Sequence, residues 1–320
     1  MPAKPSQQMN PSQQMKIAVF TKNRSNPAYA AARLGAERAA ARLGAQAVHF
    51  VPQIADDPAQ QGALLQQALS QRPDAIVLVP VHPTAVNAAI RKVDAAGIPL
   101  VACINRLTEG NCISFVGSDD YALGLEIARY LFGRLGGRGE VAIVEGAPDS
   151  MTSIERVRAF RDAAAAYPGI RIVGACNGRY LQEPAREAMA ALLAAHMTID
   201  AVLAANDIMA IGVIEALRAA GRRALIAGVN AIPQAISAIK SGEMVATADF
   251  NAMSMACLAT ECAVRHVRGE SVPLEIILPV QIVDASMGGR GGRQGQFLKP
   301  LLSPIAAPRA PPGCAGCAAV

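Results

Sequence analysis

The stretch Ile17–Tyr29, IAVFTKNRSNPAY, decides the reading of this chain. Ile17–Phe20 is an apolar run of the length of one buried strand, Thr21–Asn26 is a polar loop, and Pro27 opens a long helical pattern. Proline suits a first helical turn because the N–H it lacks has no partner there. Strand, short loop and helix make one βα unit. In an open parallel sheet, ligands gather at the loop that leaves the first strand's carboxyl end. Asn26 and Tyr29 are therefore expected on one wall of a small-molecule cleft, with Lys22 and Asn23 as further candidates on the same loop.

Outward from this unit the pattern repeats. Strand-like runs follow at Ala47–Val51, Ala75–Val79, Leu100–Cys103 and Ile113–Val116. A second series runs through Val141–Glu145, Ile170–Ala175, Ala201–Ala204, Leu225–Gly228 and Val245–Ala248. Helical stretches such as Ala28–Leu43, Ala59–Ser70, Ala85–Ala96 and Ala122–Leu135 lie between them. Continuous apolar strands alternating with helices indicate a parallel α/β sheet covered on both faces. Gly44, Gly97, Gly136 and Gly221 follow helical runs and suit the left-handed position past a helix end. Pro58, Pro83 and Pro184 sit near helix starts, and Ser118-Asp119-Asp120 offers a side-chain cap to the helix that follows. Ten parallel strands would make an unusually wide single sheet. Two α/β lobes of about five units each fit better, and a cleft between lobes is a preferred ligand site.

Composition narrows the function. The 320 residues are 52% hydrophobic, 17% charged and only 4% aromatic, with no Trp. The net charge is +5, but Arg290, Arg293, Lys299 and Arg309 contribute four positive charges beyond the last regular element. The remainder is close to neutral and carries no nucleic-acid footprint. No apolar run reaches the roughly 18 residues that span a bilayer. Residues 1–14, with their repeated PSQQM, read as a disordered extension without the apolar core of a secretory signal. Met15 is a candidate start. The strand–helix pattern ends after Val283, and the Gly-, Pro-, Ala- and Arg-rich segment 288–320 reads as a disordered tail. Seven cysteines at scattered spacing form no disulfide framework. Cys314 and Cys317 make a C-x-x-C without a second ligand pair, so no metal or cofactor is expected.

Taken in order, the motifs carry a family resemblance. Ser25-Asn26-Pro27-Ala28-Tyr29 follows the first strand. Asp74-Ala75-Ile76 leads to Val79-Pro80. Gly97-Ile98-Pro99-Leu100-Val101 precedes Asn105-Arg106, and Val116-Gly117-Ser118-Asp119 precedes a helix. Arg156-x-x-Ala159-Phe160, Ala205-Asn206-Asp207-x-Met209-Ala210-x-Gly212, Gly228-Val229-Asn230 and Ala246-Thr247-Ala248 complete the series. From Met15 to Val283 the chain resembles the type I periplasmic binding proteins of the ribose- and galactose-binding class, whose fold is shared by the lactose-repressor effector domain. The resemblance implies two lobes joined by a three-crossing hinge near Gly117–Asp119, Asp249–Asn251 and Val280–Ile282. The N-lobe would be 15–118 plus 251–280, and the C-lobe 119–250 plus 281–287. It also implies capture of a carbohydrate-like ligand by hinge closure, periplasmic location and delivery to an ABC transporter permease.

The same resemblance suggests the site residues. Asn26 and Tyr29 match a ligand asparagine and a stacking aromatic, although Ala28 replaces an adjacent aromatic. Arg106 matches a ligand arginine, whose fork suits paired oxygens. Asn105 and Asn230 stand where the family carries aspartates. Asn206 matches a ligand asparagine, Tyr180 offers a stacking ring, and Phe250 takes a hinge position that is often glutamine, with Asp249 beside it. Ile154 falls where a ligand arginine is common, and Arg156 reads as structural. A pocket with amides in place of two carboxylates suits either a neutral polyol or unusual sugar, or a sugar acid.

Other functional classes fit the sequence less well. An enzyme would need more than the four scattered histidines; His82, at Pro80-Val81-His82-Pro83, has no evident nucleophile or carboxylate partner. A DNA-binding regulator would need a helix-turn-helix ahead of Met15. A cytoplasmic ligand sensor of the same fold, or a truncated gene model, remains the alternative, because no signal peptide is evident.

Overall fold

The computed structural model describes residues 14–196 and 198–287. The extension and tail, with Cys314 and Cys317, lie outside them. The chain runs β1 (Met15–Phe20), α1 (Pro27–Arg42), β2 (Ala45–Phe50), α2 (Pro58–Ser70), β3 (Ala75–Leu78), α3 (Asn87–Ala95), β4 (Leu100–Cys103) and β5 (Ser114–Gly117). It continues with α4 (Asp120–Arg134), β6 (Arg138–Glu145), α5 (Met151–Ala165), β7 (Gly169–Asn177), α6 (Gln182–Ala195), β8 (Ala201–Ala204), α7 (Asp207–Ala219), β9 (Leu225–Val229), α8 (Pro233–Lys240) and β10 (Ala246–Asp249). Then come α9 (Ala252–Val267), β11 (Glu275–Ile277), β12 (Gln281–Asp284) and a 3-10 turn at Ala285–Met287.

The strands form two six-stranded sheets, ordered β11-β5-β4-β3-β1-β2 and β12-β10-β9-β8-β6-β7. The chain passes between them three times: between β5 and α4, between β10 and α9, and between β11 and β12. The first sheet is parallel throughout, with β1 between β2 and β3 and Phe20 opposite both Phe50 and Leu78. The second is parallel except for β12, which runs antiparallel to β10. The short β11 and β12 each carry only two consecutive apolar residues, Ile276-Ile277 and Ile282-Val283. They are half-exposed edge strands, and the hydrophobic pattern missed both.

Burial explains why these segments become strands. All four residues of β3, β4 and β8 are buried, as expected for strands covered by helices on both faces. Each buried Val, Leu, Ile or Phe contributes about 1.5–3 kcal/mol of transfer free energy. Phe20 and Phe50 stack at 4.9 Å. Helix α1 buries Ala28, Ala32, Gly35, Ala36, Ala39 and Ala40, a face small enough for α9 to approach closely. A Cβ on Gly35 would lie 2.2 Å from the Met253 carbonyl oxygen, so that crossing requires glycine.

The helix ends follow the local chemistry. Asn26, Asp57, Asp119 and Asn206 accept hydrogen bonds from the first-turn amides of α1, α2, α4 and α7. Gly44, Gly97, Gly136 and Gly221 take left-handed φ values of 64–69°. Pro83 differs from the expectation, because α3 begins only at Asn87 after a turn.

Candidate functional site

Between the sheets lies a cavity of about 30 Å³ lined by Lys22, Asn23, Asn26, Tyr29, Asp56, Ile104, Thr152, Arg156, Tyr180, Asn206, Asn230 and Phe250. Every one of these residues follows the carboxyl end of a strand, where an open α/β sheet presents its loops. A surface hollow between α7 and α8 is larger, at about 410 Å³, and is lined by Ile211, Arg218, Gln234 and Glu243 among others. None of the buried unpaired polar atoms belongs to a residue lining that hollow, whereas two belong to the interlobe cavity, so the cavity is the better candidate.

One wall comes from the loop after β1. Asn23 organises it: its Oδ1 accepts from the Asn26 amide at 2.9 Å, and its Nδ2 donates to Asp56 at 3.0 Å. Arg33 donates to Thr21 Oγ1 at 2.9 Å and to the Asn23 carbonyl at 3.2 Å. Asn26 both caps α1, accepting from the Ala28 amide at 3.0 Å, and lines the cavity. Burial, with the Asp56 charge, raises the Tyr29 phenol well above its ordinary pKa, so it is a neutral donor.

The facing wall is assembled from four βα units. Arg156 is 3% exposed and contacts Asp120 at 2.7 Å and 2.8 Å and the Ala205 carbonyl at 2.8 Å. Its guanidinium lies 5.7 Å from the Phe250 ring centre. Tyr180 OH shares a 2.8 Å hydrogen bond with Thr152 Oγ1, and its ring packs where a Gly146 side chain would stand. Asn206 Oδ1 accepts from the Met209 amide at 2.9 Å, which fixes its amide orientation and leaves the buried Nδ2 without a partner. Asn230 Oδ1 is likewise buried and unpaired. A buried polar group left unsatisfied costs about 1–3 kcal/mol. Two such groups in one cavity mark where a polar ligand would repay them.

Beneath this wall, Asp207 accepts from Thr247 Oγ1 at 2.7 Å and from the Ile232 amide at 3.1 Å. Burial pushes its carboxyl up to about 7. The backbone is also held in unusual conformations here. Among the described residues, eight non-glycine residues have positive φ, and four of them, Asp56, Ile104, Tyr180 and Asn230, line the cavity. For the β-branched Ile104, at φ 65°, this is a costly conformation that its surroundings must impose.

The structure thus brings Asn26, Tyr29, Tyr180, Asn206, Asn230 and Phe250 to one cavity, together with Lys22 and Asn23. Asn105, Arg106 and Asp249 are not among its lining residues. Asn105 is buried behind Ile104 with Oδ1 unpaired. Arg106 points outward, its guanidinium 4.1 Å from the Phe115 ring centre and paired with Glu275 of the edge strand β11. Asp249 accepts from the Asn251 amide at 2.7 Å and stabilises the left-handed turn of the second crossing. Ile154 is half-exposed, while Arg156, two residues on, is the arginine inside the cavity. Two residues, about 200° of helix, separate the alternatives on α5: Ile154 faces out and Arg156 in, and motif order alone does not distinguish them. Asp56, Ile104 and Thr152 were missed; a loop aspartate and a threonine in a first helical turn carry no distinguishing signal. His82 stabilises its own turn, accepting from the amides of Thr84 and Ala85. Among the described residues, no three His, Cys, Asp or Glu side chains are grouped to hold a metal ion.

A cleft between two open α/β sheets, lined from the carboxyl ends of both, is the architecture of two-lobed solute-binding proteins. The chain belongs to the periplasmic binding protein family: the family model, described as a periplasmic binding protein domain, matches residues 17–271. It is 26% identical over 280 residues to the ribose import binding protein of Bacillus subtilis, covering 88% of this chain and 90% of the relative. A periplasmic solute-binding protein of an ABC transporter from Actinobacillus succinogenes, solved with bound D-allose, superposes with a TM-score of 0.82 at 29% identity, covering 86% of this chain and 99% of that one. The Caulobacter myo-inositol binding protein, solved with myo-inositol, gives 0.81 at 26% identity, covering 90% and 99%.

Proposed function

We propose that this chain is the substrate-binding protein of an ABC importer, capturing a sugar, polyol or sugar-derived ligand in the interlobe cavity. In this reading it works in the periplasm and presents its closed form to a permease. The observation that carries the reading is the pair of buried, unpaired amide atoms, Asn206 Nδ2 and Asn230 Oδ1, facing a cavity that also holds Tyr29, Tyr180 and Phe250. Sugars and polyols offer hydroxyls that both donate and accept, and C–H faces that pack on aromatic rings. The relatives that bind ribose, D-allose and myo-inositol support the ligand class.

A cavity of about 30 Å³ is far below the roughly 300–1,000 Å³ of ordinary ligand pockets. Entry therefore requires the lobes to part about the three crossings, and the ligand takes the volume that Tyr29 and Tyr180 now approach from opposite sides. Arg106 joins the site during this change, exchanging its exposed Glu275 partner for a ligand oxygen. Exposed ion pairs contribute about 0–1 kcal/mol, so the exchange costs little.

A thermal-shift and calorimetric panel of ribose, allose, xylitol, myo-inositol and sugar acids tests the function. A ligand at 100 times its Kd stabilises by about 2.7 kcal/mol. Asn206→Asp keeps the cap oxygen on the Met209 amide but replaces the inward donor with an acceptor. It is expected to weaken binding of the best ligand by about tenfold or more in protein shown by circular dichroism to be folded, with a lowered melting temperature because a carboxylate at this buried position costs stability. No binding across the panel, or full affinity in Asn206→Asp, would refute the site.

A further inference from the structure

We propose that the cognate ligand is an acidic carbohydrate, a sugar acid or polyol acid, whose carboxylate is received by the Lys22 ammonium. The inference rests on the cavity being the ligand site and specifies the substrate class within it. Lys22 follows β1, is 4% exposed and lines the cavity. Its ammonium makes no hydrogen bond or ion pair with protein among the described residues.

The charged groups around it are otherwise engaged. Asp120, on the first turn of α4, is held by Arg156 of α5 at 2.7 Å and 2.8 Å. Arg156 is in turn committed to Asp120 and the Ala205 carbonyl. Asp56, on the loop after β2, accepts from Asn23 and is only partly buried, so solvent screens it. Asp207 is bonded to Thr247 and Ile232, and Asp249 to the Asn251 amide. The other polar lining groups, Asn23, Asn26, Tyr29, Thr152, Tyr180, Asn206 and Asn230, are neutral.

Two buried cations therefore line the cavity, and only Arg156 is in direct contact with a carboxylate. An ammonium withdrawn from water without a partner is costly, and hydroxyl dipoles compensate it less well than an opposite charge. Burial lowers the Lys22 pKa, and the nearby Asp56 and Asp120 charges offset part of that effect. A ligand carboxylate would complete the compensation. Asn206 Nδ2 supplies a neutral donor from the facing wall. A phosphate, with its greater charge, would call for more donors than one ammonium and a few amides.

The test is calorimetry at neutral pH on matched pairs: D-gluconate against D-glucitol, D-galacturonate against D-galactose, and D-ribonate against ribitol, with D-ribose 5-phosphate as a further probe. The acid of at least one pair is expected to bind about tenfold or more tightly than its neutral partner. Lys22→Met should erase that preference and Lys22→Arg should preserve it. The wild-type comparison stands even if Lys22→Met fails to fold. Neutral members binding as tightly as the acids in every pair, an acid preference that survives in a folded Lys22→Met, or tighter binding of the phosphate would each overturn the inference. If neutral members bind well, the carbohydrate-binding function stands without it. If neither acids nor neutral members bind, that function fails as well.

Discussion

The two walls of the cleft are built differently. The wall after β1 takes Lys22, Asn23, Asn26 and Tyr29 from eight consecutive residues, and its loop is wired internally through Asn23. The facing wall takes Thr152, Arg156, Tyr180, Asn206 and Asn230 from four separate βα units. Both unpaired amide atoms lie on that assembled wall, while Lys22 lies on the local one. A local wall holds its shape through short-range hydrogen bonds. An assembled wall depends on long-range ties, here Arg156 to Asp120 and Ala205, and Asp207 to Thr247 and Ile232. The unpaired amide atoms lie where the framework is most dependent on tertiary structure.

Cutting the first of these ties should give the largest effect. Arg156→Met removes one partner of a buried ion pair and strands Asp120 and the Ala205 carbonyl. Breaking such a pair from one side costs about 3–5 kcal/mol. Urea denaturation should show a loss of that order, whereas Asn23→Ala on the local wall should cost about 2 kcal/mol, the scale of one neutral hydrogen bond and one to a partly exposed carboxylate. Equal losses would show that the two walls do not differ in the way their wiring indicates.

The same contrast decides what was legible in the sequence. The fold reads directly because buried parallel strands such as AIVL at Ala75–Leu78 are apolar on both faces, and because Gly44 or Asn26 mark helix ends by local chemistry alone. The local wall is equally readable: Asn26 and Tyr29 lie six and nine residues past the end of β1, at the cap and in the first turn of the next helix. The assembled wall is readable only where a side chain has one local job that fixes its place, as Asn206 does by capping α7. By spacing Arg156 reads as structural; it holds Asp120 and also lines the cavity, a double role that spacing does not reveal. Arg106 illustrates the converse. Its position after β4 is clear, but the left-handed Ile104 and the edge strand β11 determine where its guanidinium goes, and neither leaves an apolar pattern.

The second tie should respond to pH. The Asp207 carboxyl titrates near 7 in the folded chain because of burial, against an ordinary 3.8. The folded state therefore holds this proton more tightly than the unfolded state. The sign is opposite to that of a salt-bridged aspartate: stability is lost as pH rises from about 4 towards about 7, and the loss levels off above that. Asp207→Asn can still accept from Ile232 and donate to Thr247, so it should remove this slope. The difference in urea stability between pH 5 and pH 8 should shrink in the variant by on the order of 2–3 kcal/mol relative to wild type. An unchanged slope would place the proton elsewhere and weaken the case that Asp207 braces the assembled wall.

The smallest effects should come from Arg106, which belongs to the local lobe yet is proposed to reach the ligand only on binding. Arg106→Ala removes an exposed pair with Glu275 and a contact with Phe115, so the free protein should lose no more than about 1 kcal/mol. Ligand affinity should fall by about tenfold if the guanidinium turns inward. Glu275→Gln gives the sharper reading. It leaves Arg106 intact but weakens the outward hold, so affinity should rise by about two- to threefold, within the range of one exposed ion pair. A fall in affinity in Glu275→Gln would mean that the outward pair is needed to brace the edge between β11 and β5. Arg106 would then be part of the framework, and the residues that already line the cavity would read the ligand's polar groups without it.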